Sequence, residues 1–256
     1  MSTPHFSDTN KSARTVLVVG GAGGIGLASA RLLGADGWKV VLADINDQNL
    51  EAAATELRAT GIEVSTAQID ITDNASVEQA FANVIATRGL DCLINAAGVL
   101  QLGTILDVDE AAWQRVIDIN LTGVYRTCRA AVTHFVANGG GSIVNLASQS
   151  GRTSSFYSAP NYVASKAAII GLTMVIAAQH AAQGVRANAV APGLVETPMI
   201  ASAYSDEQRA SMIAKTPIGR FASADEVGEV VAFLAGDRSS YMTGQTLNAN
   251  GGSFMQ

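Results

Sequence analysis

The sequence predicts an α/β protein: a doubly wound parallel β-sheet flanked by helices on both faces. Three observations predict it. Short apolar runs rich in β-branched residues recur along the chain, beginning with TVLVV at 15–19, and runs apolar throughout suit strands covered on both faces. Helix-length stretches separate these runs, and crossovers of that length force parallel pairing with right-handed connections. No composition break, Pro/Gly-rich linker or repeat divides the 256 residues, so one domain is expected over 13–256, preceded by a flexible polar tail at 1–12.

In chain order, the strand at 15–19 leads into a glycine cluster at 20–26 and a helical pattern through Leu33. A second strand is expected at 38–44, a helix at 47–60 opened by an Asp of N-cap type, a third strand at 62–70 and a helix at 74–87. A fourth strand at 91–95 precedes one long helix at 109–138. A strand at 142–147, a helix at 161–183 and a strand at 185–190 follow. Helices near Ser205 and Ser223 and a short strand near Thr246 complete the order.

Hydrophobic residues make up 48% and charged residues 15%, the balance of a compact folded chain. The formal net charge of −6 argues against nucleic acid as a partner, because phosphate binding needs a basic face. Mean hydropathy is positive at +0.23, yet no apolar stretch reads as long enough without polar residues to span a membrane. Residues 1–10 are polar and lack the features of a signal peptide. Cys92 in an apolar run and Cys128 in a helical one read as free buried thiols, which places the protein in the cytoplasm. His5, His134 and His180 are scattered without ligand spacing, so no metal is expected.

The chemistry concentrates at the ends of the strands. VGGAGGIG at 19–26 stands between a strand and a helix, where glycines allow a tight turn and let a pyrophosphate approach the helix N-terminus. A ligand-free glycine connection is the bland alternative, and the strand–loop–helix order argues against it. Asp44 ends the second strand, eighteen residues beyond Gly26. A carboxylate there accepts hydrogen bonds from ribose hydroxyls and repels a 2′-phosphate. Ile45, Asn46, Gly21, Ala22 and Gly23 add no positive charge, so NAD is favoured over NADP. The fold expected is therefore Rossmann-like. Tyr162 and Lys166 lie four apart on one helix face, after the fifth strand, with Ser148 at that strand's carboxyl end. An ammonium near a phenol favours the phenolate and would make it a usable base.

Together these residues resemble the classical short-chain dehydrogenase/reductase family over nearly the whole chain, from about Thr15 to Gly252. Its glycine motif matches Gly20, Gly24 and Gly26, its adenine-side acid Asp70, and its Asn-Asn-Ala-Gly motif Asn95 to Gly98. Its helix asparagine matches Asn120, its serine Ser148, and its Tyr-x-x-x-Lys Tyr162 with Lys166. Its Pro-Gly motif with a following threonine matches Pro192, Gly193 and Thr197. Val19 replaces the usual threonine and Ala96 the second asparagine, which should alter loop stability and leave the chemistry intact.

The resemblance implies an NAD-dependent alcohol dehydrogenase or ketoreductase, with hydride passing between the nicotinamide and a secondary alcohol or ketone. Cofactor contacts then fall on Gly20, Gly24, Ile25, Gly26, Asp44, Ile45, Asp70, Ile71, Asn95, Ala97, Gly98, Tyr162, Lys166, Pro192, Val195 and Thr197. By resemblance Tyr162 is the acid–base group, Lys166 lowers its pKa and holds the ribose, Ser148 holds the substrate oxygen, and Asn120 positions a water. A substrate lid is expected around 194–220, with Met199 and Tyr204 facing the substrate. The polar loop after Ser148, with Ser150 and Arg152, and Asn161 beyond it, suits a sugar, polyol or hydroxy acid, Arg152 being a candidate anchor for an anion. The resemblance also implies a homotetramer or homodimer. Two other readings stand beside this one: a 3-oxoacyl thioester reductase, with Arg126 and Arg129 available to an acidic carrier protein, and a non-catalytic nucleotide-sensing protein.

Overall fold

Seven parallel strands form one sheet in the order β3-β2-β1-β4-β5-β6-β7. The computed structural model describes residues 13–255, so the tail expected at 1–12 lies outside the described residues. β1 (Thr15–Val19), β2 (Lys39–Asp44) and β3 (Val64–Gln68) build one half of the sheet. β4 (Cys92–Asn95), β5 (Gly141–Leu146), β6 (Val185–Pro192) and β7 (Thr246–Ala249) build the other. The direction of winding reverses between β1 and β4, and open α/β sheets bind ligands in the crevice at that point.

Side chains alternate across the sheet and feed two cores. Val16 and Val18 pack with α1 (Gly24–Ala35), α2 (Asp47–Ala59) and α9 (Ala224–Ala235). Leu17 and Val19 face α3 (Asn74–Arg88), α5 (Val124–Ala137) and α6 (Pro160–His180). Helix starts follow capping chemistry. Asn46, one residue earlier than expected, accepts from the Asn49 N–H to cap α2. Ser205 and Ser223 close reciprocal capping boxes on α8 (Asp206–Ala214) and α9. A short α7 (Pro198–Ala203), not expected from the sequence, starts at a Thr197 cap.

The helix expected at 109–138 is not one regular helix. α4 (Glu110–Ile117) passes into a π-helical segment, Asp118–Gly123, before α5 begins. Such wider turns concentrate at functional sites, and this one contains Asn120. The membrane reading also changes in one respect. Residues 160–183 are long and apolar enough, by composition alone, to cross a bilayer, with a hydropathy of 1.4. In this fold that stretch is α6 with a following turn, and it buries Asn161, Ser165, Lys166 and Thr173 against the protein.

Beneath the sheet lies a buried polar tie. Asn95 on β4 and Asn145 on β5 are register partners, and Asn95 Nδ2 donates to Asn145 Oδ1 at 2.9 Å. Thr127 on α5 donates to Asn95 Oδ1 at 2.8 Å, and Asn145 donates to Thr173 on α6 at 2.9 Å. The resemblance assigns Asn95 to the cofactor; its amide is instead spent on this tie, at 2% exposure. An amide left unpaired in such a place costs more than the bond gains. Asn145→Ala should therefore lower the unfolding free energy by about 2 kcal/mol. Urea titration would show a lower midpoint at an unchanged slope, and an unchanged midpoint would contradict the role given to the tie.

Candidate active site

The carboxyl ends of β1, β4, β5 and β6 open onto a cleft of about 1170 Å³. Its floor is backbone. Gly20 follows β1 at φ 81°, and a Cβ there would lie 2.3 Å from the Ala97 nitrogen. A Cβ on Gly26 would lie 2.2 Å from the Gly20 carbonyl oxygen. Only glycine allows these loops to cross so closely. Ala96 and Ala97 N–H groups donate to the Val19 carbonyl at 2.8 and 2.9 Å, fixing the β4 loop against β1. The N-terminus of α1 has no side-chain cap and no acidic residue in its first turn. Its free N–H groups suit a pyrophosphate. The cradle thus fits a dinucleotide.

At the far end of the cleft lie Asp44, Ile45 and Asn49. Asp44 Oδ1 accepts from the Asn46 N–H at 3.2 Å. Asp70 also lines the cleft, but one of its carboxylate oxygens holds the Thr72 N–H and hydroxyl at 2.8 and 2.6 Å. Ile25, Ile71, Ala97, Gly98, Pro192, Val195 and Thr197 all border the same space. Sequence reasoning missed Asn49 and a group from α4, among them Gln114 and Arg115. Neither group carries a motif; only the tertiary packing of α4 against α6 brings the latter to the cleft.

Ser148, Tyr162 and Lys166 meet at the cleft's inner wall. β5 delivers Ser148, whose Oγ accepts from the Ser150 N–H at 3.1 Å. α6 delivers the other two on one face. Burial pushes the Tyr162 phenol up to about 12; the Ser148 hydroxyl hydrogen-bonded to it offsets part of this, and Tyr204 nearby adds to it. Burial also pulls the Lys166 ammonium down to about 8. Lys166 Nζ donates to the Leu146 carbonyl at 2.8 Å and stands 5.8 Å from the centre of the Tyr162 ring. The expected depression of the phenol by this ammonium is not seen: burial dominates, and the phenol holds its proton.

Asn120 is fully buried in the π segment. Its Oδ1 accepts from the Val99 N–H at 2.8 Å, and its Nδ2 donates to the Val99 carbonyl at 2.9 Å and to Ser165 Oγ at 3.3 Å. The side chain clamps the loop that follows Gly98, next to Lys166.

The residues expected at the substrate divide. Met199 lines the cleft. Tyr204, 9% exposed, and Ser150 are not among the residues that line it. Asn161 does not reach the cleft: it is fully buried and donates to Gln101 Oε1 and the Ala112 carbonyl at 2.8 and 3.0 Å. Arg152 is likewise turned inward. It donates to Asn248 Oδ1 at 2.9 Å and to the Thr246 carbonyl at 3.3 Å, and lies over the Phe254 ring. Its Nη1 so engaged braces the loop after Ser148, and Arg152 is not among the residues that line the cleft.

The lysine carries a stability signature. Its folded pKa, about 8, lies below the ordinary 10.5. Its contribution is therefore fully present above 10.5 and lost as pH falls through 8. The stability of the wild type relative to Lys166→Met should rise by about 2 kcal/mol between pH 7.5 and 10, read from urea unfolding at each pH. A difference independent of pH would mean that the ammonium is not desolvated.

Comparison with known proteins agrees with this geometry. A family model described as enoyl-(acyl carrier protein) reductase matches residues 20–253. A cis-4-hydroxycyclohexanecarboxylate dehydrogenase of Sinomonas cyclohexanicum is 41% identical, covering 93% of this chain and 96% of its own. A 3-oxoacyl-[acyl-carrier-protein] reductase of Thermotoga maritima is 35% identical over 93% of this chain and 97% of its own. Among solved structures, an actinorhodin polyketide ketoreductase with NADPH superposes with a TM-score of 0.90 at 33% identity, covering 94% of this chain and 97% of that one. The glycine cradle, the serine, tyrosine and lysine on one wall and these full-length matches place the chain in the classical short-chain dehydrogenase/reductase family.

Proposed function

We propose that this member of an oxidoreductase family is an NAD-dependent dehydrogenase of polar secondary alcohols, such as a sugar, polyol or hydroxy acid. The observation that carries the reading is the meeting of Ser148, Tyr162 and Lys166 on one wall of the glycine-floored cleft. Ser148 and Tyr162 hold the substrate oxygen between them; Tyr162 gives it a proton in reduction and takes one in oxidation. Lys166, on the same wall, would hold the nicotinamide ribose of a bound cofactor. A bound nicotinamide supplies or accepts the hydride and, when oxidised, adds a positive charge that opposes the effect of burial on the phenol. With its pKa pushed up to about 12, the phenol holds its proton at neutral pH, the form required of the donor in ketone reduction; oxidation requires it to lose that proton.

The choice of NAD rests on Asp44 at the cleft's adenosine end with Ile45 and Asn49 beside it. A solved relative carries NADPH, so the nucleotide is the first thing to test. The thioester-reductase alternative is favoured by the carrier-protein reductase among the relatives. Against it, Arg126 donates to the Ile71 carbonyl at 3.0 Å and Arg129 pairs with Glu78 at 3.2 Å, so both cations have partners within the chain. The sensing alternative is disfavoured by the presence of Tyr162, Lys166 and Ser148 at one wall. Exposed Trp113, Tyr125, Met174 and Val175 on α4, α5 and α6 support a homotetramer or homodimer, and the buried thiols Cys92 and Cys128 support a cytoplasmic setting.

Absorbance of the reduced nicotinamide, followed with NAD⁺ and NADP⁺ against sugars, polyols, hydroxy acids and simple alcohols, tests the reading. Turnover is expected with NAD⁺, falling about 10²- to 10⁴-fold in Tyr162→Phe. Asp44→Ala should narrow the preference for NAD⁺. Turnover confined to NADP⁺ with a 3-oxoacyl thioester would replace this reading by the alternative.

A further inference from the structure

The first turn of α6 carries the reacting tyrosine and is built without the usual cap. Ala159, at the cap position, has no side-chain oxygen to offer, and Pro160 after it brings no N–H. The helix ladder begins only at Val163, whose N–H donates to the Ala159 carbonyl at 3.1 Å. The Tyr162 N–H therefore has no partner within the ladder. Asn161 supplies one: its Oδ1 accepts from that N–H at 2.8 Å. The Tyr162 carbonyl is held as well. It accepts from Ser165 Oγ at 2.7 Å, and Ser165 in turn accepts from Asn120.

The other end of the Asn161 amide leaves the helix. Nδ2 donates to Gln101 Oε1 at 2.8 Å and to the Ala112 carbonyl at 3.0 Å, which uses both of its protons. Gln101 belongs to the loop that follows the Gly98 floor. Its carbonyl accepts from the Ala159 N–H at 2.9 Å, so loop and helix start are fastened twice. Ala112 belongs to α4, whose Ala111, Gln114 and Arg115 line the cleft. Asn161 is fully buried and does not itself line that space. It nevertheless joins the backbone of the tyrosine to two borders of the cleft. A phenol hydroxyl stands at the far end of a long side chain, so a small tilt of its backbone is magnified there.

We propose that Asn161 is a positioning residue for the reaction: by fixing the Tyr162 backbone to α4 and to the loop after Gly98, it sets where the phenol stands relative to the substrate oxygen. This rests on the reading of Tyr162 as the proton-transfer group. Asn161 touches neither substrate nor nucleotide and acts through the tyrosine alone. Removing it therefore harms the transition state, where the phenol must be in line, and leaves ground-state binding as it was.

The test uses cyclohexanol as probe with whichever nicotinamide nucleotide supports turnover. Asn161→Ala should lower kcat and kcat/KM together, by about 10²-fold, with KM and the NADH dissociation constant from fluorescence titration unchanged within about twofold. In a Tyr162→Phe background the same substitution should cost less than about twofold, because the group it acts through is gone. Equal loss in both backgrounds, or an equal loss of nucleotide affinity, would overturn the proposal and leave Asn161 as a structural amide. Wild-type turnover in Asn161→Ala would overturn it too. Should that variant not fold, Gln101→Ala takes its place: it removes one partner of Asn161 at a half-buried loop position and should give a smaller loss with the same split. Absence of turnover in the wild type would count against the dehydrogenase reading alone. The NMR signals of the five tyrosines, labelled with ¹³C at Cζ and assigned with Tyr162→Phe, then decide. The Tyr162 signal should move in the variant while those of the other tyrosines stay. An unmoved Tyr162 signal, or all five moving together, overturns the proposal.

Discussion

The site depends on two amides that cannot be left alone. Asn95 and Asn145 stand opposite one another on neighbouring parallel strands, beneath a sheet that excludes water. Each needs partners, and the partners come from different helices: Thr127 on α5 and Thr173 on α6. Strand register and helix position must agree for all of these groups to be satisfied at once. Downstream of Asn145 is Ser148, downstream of Asn95 is the Ala97–Gly98 floor, and two turns before Thr173 is Lys166. The tie sets where the reacting groups arrive.

Burial then sets their protonation. Tyr162 and Lys166 are both pushed toward their neutral forms, one upward and one downward, because charge is costly in that wall. A wall of this kind responds strongly to any charge placed against it, since little solvent is present to screen it. The same argument explains the backbone bond from Lys166 to Leu146: an amine so placed has to spend a donor on whatever oxygen the strand offers.

Much of this was legible in the residues. Strands declared themselves through β-branched runs, and the helices expected near Ser205 and Ser223 start at those residues. The glycine loop, Asp44, Ser148, Tyr162 and Lys166 come to one cleft, as their positions at strand ends imply. What stayed hidden is directional. Arg152 and Asn161 are polar and close in sequence to the site, and nothing in their spacing tells that one turns to Asn248 and the other to Gln101. Asn145 is a single polar residue in an apolar strand, invisible until its cross-strand partner is known. The break within 109–138 is silent for a similar reason: apolar periodicity registers a helix and not one widened turn.

That widened turn solves a problem of phase. Asn120 and Thr127 are seven residues apart, which in a regular α-helix is within about 20° of two full turns, so both would point the same way. They do not serve the same neighbour: Asn120 grips Val99 and Ser165, whereas Thr127 reaches Asn95 under the sheet. More residues per turn across Asp118–Gly123 retard the rotation and separate the two bearings. The π segment is therefore an angular offset written into the chain, letting one continuous helical rod address the loop above the sheet and the strands beneath it.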